Sequence, residues 1–138
     1  MARGGFYPSR DFVGLSGVLK NHHTNIQALF RRYRSSSSDS RPAIVLEILL
    51  RLQSHLEMEE NVLFEVIRSS GFHGIALVED AIFEHEEIQT KMRQLQQTET
   101  EDDEVWEEMF EDMMLTAGVH FITEERDLLP LVDRSRDV

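Results

Sequence analysis

Four of the six histidines fall on the apolar faces of predicted helices, one in each of four periodic stretches: His22 or His23, His55, His85 and His120. Two of these histidines have a glutamate one helical turn later, in the pairs His55–Glu59 and His120–Glu124. Because residues at i and i+4 lie on one face of a helix, each pair can offer a nitrogen and an oxygen to the same centre.

The two glutamates would be costly to bury alone, since an unpaired carboxylate in an apolar core loses several kcal/mol of hydration. No Lys or Arg lies on the same faces to neutralise them. A metal ion would supply the missing charge, and imidazole with carboxylate is a usual ligand set for first-row metals. The absence of Cys excludes zinc–thiolate sites and iron–sulfur clusters. We therefore predict a buried metal cluster, with a purely structural role as the alternative.

The apolar residues recur every three or four positions, which predicts helices and not strands. Three polar breaks, at residues 35–42, 69–71 and 96–103, separate four helices of about 20 to 28 residues with short connections. The fold class is therefore predicted as all-α, an up-down-up-down antiparallel four-helix bundle. Residues 1–10 are predicted as an N-terminal arm, and residues 1–138 as a single domain.

The helix ends carry their own signals. Ser40 is a plausible N-cap of the second helix, and Gly71 is suited to the C-cap that ends it. Extending the helical period predicts that Val62 and Val66 continue the buried face of the second helix, and that the fourth helix runs without interruption to Leu131.

The charge balance excludes several functions. Hydrophobic residues make up 41% and charged residues 29%, a composition typical of a globular protein, and the net charge is −12. An acidic chain repels phosphate groups, so we expect no nucleic-acid partner. Residues 43–50 are the most apolar run, but Glu47 interrupts it and it is too short to span a membrane. Residues 1–20 lack the apolar core of a secretory signal, and we expect a cytoplasmic protein without a membrane partner.

Four motifs carry a family resemblance: residues 19–26 around the paired histidines, residues 55–64, residues 84–86, and residues 120–130. Each motif would be weak alone. Together they resemble the hemerythrin-like, or HHE cation-binding, family over residues 12–132.

The resemblance implies a non-haem di-iron centre, in which two iron ions share an oxo or hydroxo bridge. It implies this ligand set, with the glutamates bridging: His23 and His55 on one iron, His85 and His120 on the other, and Glu59 and Glu124 on both. His22 stands where the family usually has Asp. Helical periodicity allows either His22 or His23, and the family register favours His23.

One position departs from the oxygen-carrying hemerythrins, which have a second histidine one turn before the third-helix histidine. Here that residue is Ala81, so we expect four histidines and an open or water-filled position on one iron. Three nearby side chains could fill it: His22, Glu84 and Gln89. Glu60 and Glu125 lie about 140° round their helices from the preceding histidines, and we expect them to be solvated.

The resemblance implies a protein that binds or reacts with O2, hydrogen peroxide or nitric oxide, with a catalase- or peroxidase-like cycle as one form. A non-catalytic O2- or iron-binding sensor or storage module is the alternative. The ferritin-like di-metal bundles use Glu-x-x-His pairs, and no histidine here has a glutamate three residues before it.

Overall fold

The computed structural model describes residues 9–98 and 103–136. In chain order the elements are α1 (Ser9–Ser35), α2 (Arg41–Met58), a π-helical turn (Glu59–Leu63), α3 (Phe64–Arg68), α4 (Phe72–Gln97), α5 (Asp103–Asp127) and α6 (Leu129–Arg136). There is no strand within these two ranges. The predicted arm lies mostly outside them, and its last two residues, Ser9 and Arg10, belong to α1.

The long helices form the predicted all-α four-helix bundle, and the fold class is thereby confirmed. The second helix of the bundle is composite, since α2, the π turn and α3 follow one another without a break. Contacts are most extensive between α4 and α5 and between α1 and α2. The connections between consecutive long helices are short, which favours antiparallel packing of neighbouring helices.

The buried apolar residues form two clusters, one on each side of the histidines. Before and after each of the four histidines, the chain contributes one residue to the smaller cluster and one to the larger cluster: Leu19 and Ile26, Leu63 and Leu52, Ala81 and Ile88, Leu128 and Ala117. The histidines and glutamates thus form a polar layer between two apolar layers. Bulk water is kept away from that layer on both sides.

The π turn shifts the buried face of the second helix by one residue. The backbone N–H of Phe64 bonds to the carbonyl of Glu59, five residues earlier, where an α-helix uses four. The prediction that Val62 is buried is therefore wrong, whereas Val66 is half-buried against the smaller apolar cluster. Leu63 and Ile67 are the fully buried residues of this stretch. Val62 is 44% exposed.

The fourth helix is interrupted where the sequence predicted continuity. The helix α5 ends at Asp127, and α6 begins at Leu129. Pro130 lacks the N–H that an unbroken helix would require at this position. Leu128 and Leu131 nevertheless both remain buried in the smaller apolar cluster.

Glycines with a positive φ mark two bends of the chain. Gly14 has φ 54° and kinks α1 near its start, and Gly71 has φ 110° directly before α4. Other residues rarely adopt these angles. Gly71 therefore makes the turn between the second and third helices of the bundle, close to the C-cap role predicted for it. Ser40 occupies the N-cap position of α2, but its side chain makes no capping hydrogen bond.

Within the described ranges, none of the helices combines the length and the apolar character that a membrane crossing requires.

Two helical glycines give a matched test of this packing. A Cβ at Gly118 would meet nothing within 4 Å, whereas a Cβ at Gly74 would collide with the carbonyl oxygen of Ile67. We expect Gly118→Ala to raise the free energy of unfolding by about 0.5–1 kcal/mol, because alanine has the higher helix propensity. We expect Gly74→Ala to lower it by about 1–3 kcal/mol, because the backbone must shift. Urea denaturation followed by circular dichroism measures both, and equal effects would contradict the packing described here.

Candidate metal centre

The structure brings together all six residues singled out in the sequence. The helix α1 supplies His23, α2 supplies His55, α4 supplies His85 and α5 supplies His120, and no more than 2% of any of these side chains is exposed. Glu59 begins the π turn, Glu124 lies on α5, and both are equally buried. The potential ligand atoms fall into two groups, each within 4.8 Å: His23, His55, Glu59 and Glu124, and His85, His120, Glu59 and Glu124.

Each glutamate divides its two oxygens between the two groups. Glu59 Oε2 lies 3.0 Å from His55 Nε2, and its Oε1 lies 2.9 Å from His85 Nε2. Glu124 Oε1 lies 2.9 Å from His23 Nε2, and its Oε2 lies 3.2 Å from His120 Nε2. A carboxylate in this position can bridge two ions, one on each oxygen.

Three of the four carboxylate oxygens have no hydrogen-bond partner among the described residues, namely Glu59 Oε2 and both oxygens of Glu124. They lie close to imidazole nitrogens, at 2.9–3.2 Å, but without hydrogen-bond geometry. Buried polar atoms rarely stay unpaired, because each costs about 1–3 kcal/mol. The arrangement therefore fits metal ions between these atoms.

Three further carboxylates hold the outer nitrogens of the histidines. His23 Nδ1 lies 2.6 Å from a carboxylate oxygen of Glu125, and His85 Nδ1 lies 2.9 Å from one of Glu60. His120 Nδ1 lies 2.7 Å from a carboxylate oxygen of Glu84. An ionised carboxylate only accepts hydrogen bonds, so each Nδ1 carries the proton and donates it. The Nε2 lone pair of a neutral ring then faces the centre, as a metal ligand requires.

Glu60 and Glu125 are about two-fifths exposed and belong to neither inward ligand group, as expected. The expectation did not include their second role, since each also contacts a histidine of a different helix. Their position five residues after a histidine of their own helix correctly indicated that they face away from that histidine. The contact across the bundle depends on neighbouring helices, and the sequence contained no local signal for it.

His22 lies outside the centre, against the back of His55. Their Nδ1 atoms are 3.1 Å apart, and one ring donates to the other. Burial, together with the neighbouring imidazoles of His55 and His23, lowers the pKa of His22, so it is neutral and can accept the proton of His55 Nδ1. His55 thus has an imidazole where the other three histidines have a carboxylate.

None of the three side chains considered for the position beside Ala81 points into the centre. His22 and Glu84 contact the outer nitrogens of His55 and His120, and Gln89 donates to Glu60 at 3.1 Å. Ala81 itself is buried one turn before His85 and borders a small pocket.

Histidines and glutamates of the polar layer shift one another's pKa values. Burial alone would lower the pKa of His23, but Glu124 and Glu59 outweigh burial and raise that pKa to about 9. The same two carboxylates raise the pKa of His120 well above its ordinary value against the effect of burial. Burial alone would raise the pKa of Glu59, but its contacts with Glu124 and the histidines keep that pKa well below its usual range. Without metal, protons therefore occupy nitrogens that a metal would use, and the two compete.

Aromatic rings enclose the imidazoles. Phe121 stacks on His23 with ring centres 4.2 Å apart and planes inclined by 15°. Phe64 lies 5.0 Å from His85. These rings restrict the rotation of the histidines and separate them from water.

The comparison with protein families agrees with this geometry. The sequence profile of the hemerythrin HHE cation-binding domain matches residues 15–132. The chain therefore belongs to the hemerythrin HHE cation-binding family, and the resemblance seen in the sequence is confirmed. No curated protein and no solved structure matches the chain at a significant level.

Neighbouring histidines of α1 should differ in their effect on metal content. His23→Ala removes an inward nitrogen, and we expect it to lose at least one bound metal ion per chain. His22→Ala removes only an outer partner, and we expect it to retain the full metal content with an affinity lowered by about 10- to 100-fold. Metal analysis after dialysis and titration with a chelator measure the two effects. A larger loss in His22→Ala would reverse the assignment.

Proposed function

We propose that the protein holds two iron ions in the polar layer and uses them to bind or react with O2, hydrogen peroxide or nitric oxide, a catalase- or peroxidase-like cycle being one form of this reaction. Two ferrous ions would together supply two electrons, which suffice to reduce O2 to peroxide or hydrogen peroxide to water. The observation that carries the proposal is the division of each buried glutamate between two ligand groups. A cytoplasmic location remains a prediction from the sequence.

The proposed ligands are two histidines for each ion, together with two glutamates that both ions share. His23 and His55 belong to the first ion and His85 and His120 to the second, while Glu59 and Glu124 serve both. Nitrogen and carboxylate oxygen together suit first-row metals. The oxygens of the two glutamates that lack a hydrogen bond support this assignment. In a purely structural cluster they would remain buried without a hydrogen bond, which costs free energy.

The residues behind the ligands would keep the site rigid. Glu125, Glu60 and Glu84 each accept the Nδ1 proton of a histidine on another helix. Such partners hold an imidazole in one tautomer and one orientation. The ligand atoms are then positioned before a metal or a substrate arrives, and little reorganisation is needed.

The apolar layers above and below would control the surroundings of the reaction. Phe121 and Phe64 cover the imidazoles, and the two apolar clusters close the ends. Small uncharged molecules such as O2, hydrogen peroxide and nitric oxide can enter such a site more readily than hydrated anions. Exclusion of bulk water also limits side reactions.

Glu84 would connect the centre to solvent for proton exchange. Its side chain is 33% exposed, and its Oε1 lies 2.7 Å from His120 Nδ1. It can hold the proton of His120 Nδ1 when that ring changes its charge, and release it to water. This connection would support a cycle that consumes or releases protons.

The test is metal content with an optical spectrum. We expect two irons per chain and near-ultraviolet absorption of a bridged ferric pair in the purified protein. Glu59→Ala and Glu124→Ala should each lose at least one iron, because each removes ligands to both ions. Glu57→Ala, on the exposed face of the same helix, is the matched control and should retain both irons.

Thermal unfolding and turnover complete this test. Removing the metal should lower the melting temperature, because a ligand that binds only the folded state stabilises it. Sustained decomposition of hydrogen peroxide would favour the enzyme over the sensor or storage alternative. A wild-type protein that binds no more than adventitious iron, or Glu59→Ala and Glu124→Ala variants that both retain two irons, would contradict the proposal.

Ala81 offers a test of the open position. A histidine there would lie one turn before His85 and could reach the same ion. We expect Ala81→His to slow peroxide turnover and to lengthen the life of an O2 adduct of the reduced protein. Ala81→Leu is the control, because it adds comparable bulk without a ligand, and overpacking alone costs about 1–3 kcal/mol. Equal spectra and equal rates for Ala81→His and the wild type would contradict this role of the position.

A further inference from the structure

A pocket of about 230 Å³ between α4 and α5 connects the surface with one of the buried glutamates. Its inner end is lined by Ala81, His120 and Glu124, and its outer end by exposed and half-exposed residues that include Asp80 and Thr123. The small side chain of Ala81 helps to leave this space open, since a larger residue there would project into it.

The inner end of the pocket presents a buried carboxylate. Glu124 is 1% exposed and its oxygens lie 2.9 and 3.2 Å from Nε2 of His23 and His120, but among the described residues neither oxygen has a partner with hydrogen-bond geometry. A buried carboxylate in this state attracts a cation more strongly than a solvated one, because the local dielectric constant is low. A cation that enters the pocket thus meets a strong ligand at its end.

The outer end of the pocket carries a net negative charge. Three of its residues are acidic, Asp80, Glu84 and Asp127, and one is basic, Arg126. Arg126 Nε and Nη2 each donate to Asp127 at 2.9 Å, so this pair is locally neutral. The remaining carboxylates would attract cations and repel anions.

The larger pocket on the α1–α2 side is less suited to a cation. It has a volume of about 460 Å³ and ends at His22 and His55, without reaching Glu59 or Glu124. Its walls include apolar side chains, and Arg51 there pairs with Glu47 at 3.0 Å. Of these two pockets, the one that reaches Glu124 between α4 and α5 is therefore the better match for a positive ion.

We propose that divalent metal ions enter the centre through the α4–α5 pocket, guided by its acidic outer end and received by Glu124. The proposal rests on the metal site proposed above. It concerns how the ions arrive, and it is tested by uptake kinetics rather than by activity.

The experiment follows the uptake of Co2+ by the full-length metal-free protein, using the visible absorption of the bound ion in a stopped-flow instrument. Thr123→Phe should fill the pocket with a phenyl ring. Because a close-packed interior leaves little room for an ion to pass, uptake should slow by about tenfold or more. The final Co2+ content per chain should remain that of the wild type. Ile122→Phe, which adds the same ring at an exposed neighbour, is the matched control and should load at the wild-type rate.

Two charge variants should act in opposite directions. Asp80→Asn removes an attracting carboxylate and should slow uptake, whereas Arg126→Gln removes a repelling charge and should accelerate it. Electrostatic steering changes association rates by about tenfold or more, so single charges should give changes of several-fold. Both differences should shrink at about 1 M salt, where charges are screened over a few ångströms.

The outcomes separate the two proposals. A wild-type protein that takes up fewer than two Co2+ ions per chain would contradict the metal site itself. Full uptake with the same rate in Thr123→Phe would overturn the α4–α5 route alone. Slow uptake in Ser54→Phe, which fills the α1–α2 pocket, with normal uptake in Thr123→Phe, would assign the route to the other side. If Thr123→Phe does not fold, Leu77→Trp on the opposite wall tests the same space.

Discussion

The burial of two carboxylates, Glu59 and Glu124, is the constraint on which the rest of the structure depends. Removing two such charges from water costs several kcal/mol each unless they meet positive charge or metal. Each of the four long helices places one buried histidine beside these carboxylates. The polar layer therefore requires all four helices at one depth in the bundle, and the two apolar clusters pack around it on either side. A metal ion bound in this layer would therefore stabilise the folded chain.

The hydrogen bonds at the outer Nδ1 atoms of the histidines connect the helices around the polar layer. Glu125, Glu60 and Glu84 each contact a histidine on a helix other than their own. They fix the tautomer of the ring, and they also tie neighbouring helices together at the level of the site. The π turn contributes to this arrangement, since it begins at Glu59, includes Glu60 and changes the register of the residues that follow. Although π turns are rare in proteins, they often occur at functional sites.

Two residues, His22 and Ala81, make the two halves of the candidate metal centre different. His22 lies against His55 with a neutral ring where the other histidines have carboxylates, so His55 Nδ1 has an uncharged partner and the others have a negatively charged one. Ala81 borders the pocket that reaches Glu124 on the other side of the layer. The two halves of the centre consequently differ in their outer contacts and in their access to solvent, although their inner ligand atoms are nearly equivalent.

Periodicity and chemistry along the chain were sufficient to predict the four-helix bundle and the set His55, Glu59, His85, His120 and Glu124, with one further histidine from the first helix, because both depend on local spacing. The choice of His23 over His22 needed the family resemblance, since both residues fit a helical face. The full burial of Leu63 and Ile67 in place of Val62 and Val66 was decided by the π turn, which no regular helical period indicates. The roles of Glu60, Glu84, Glu125 and His22 were decided only by the tertiary structure. Each of these side chains acts on a histidine of another helix, and such a contact depends on how the helices rotate and pack against one another.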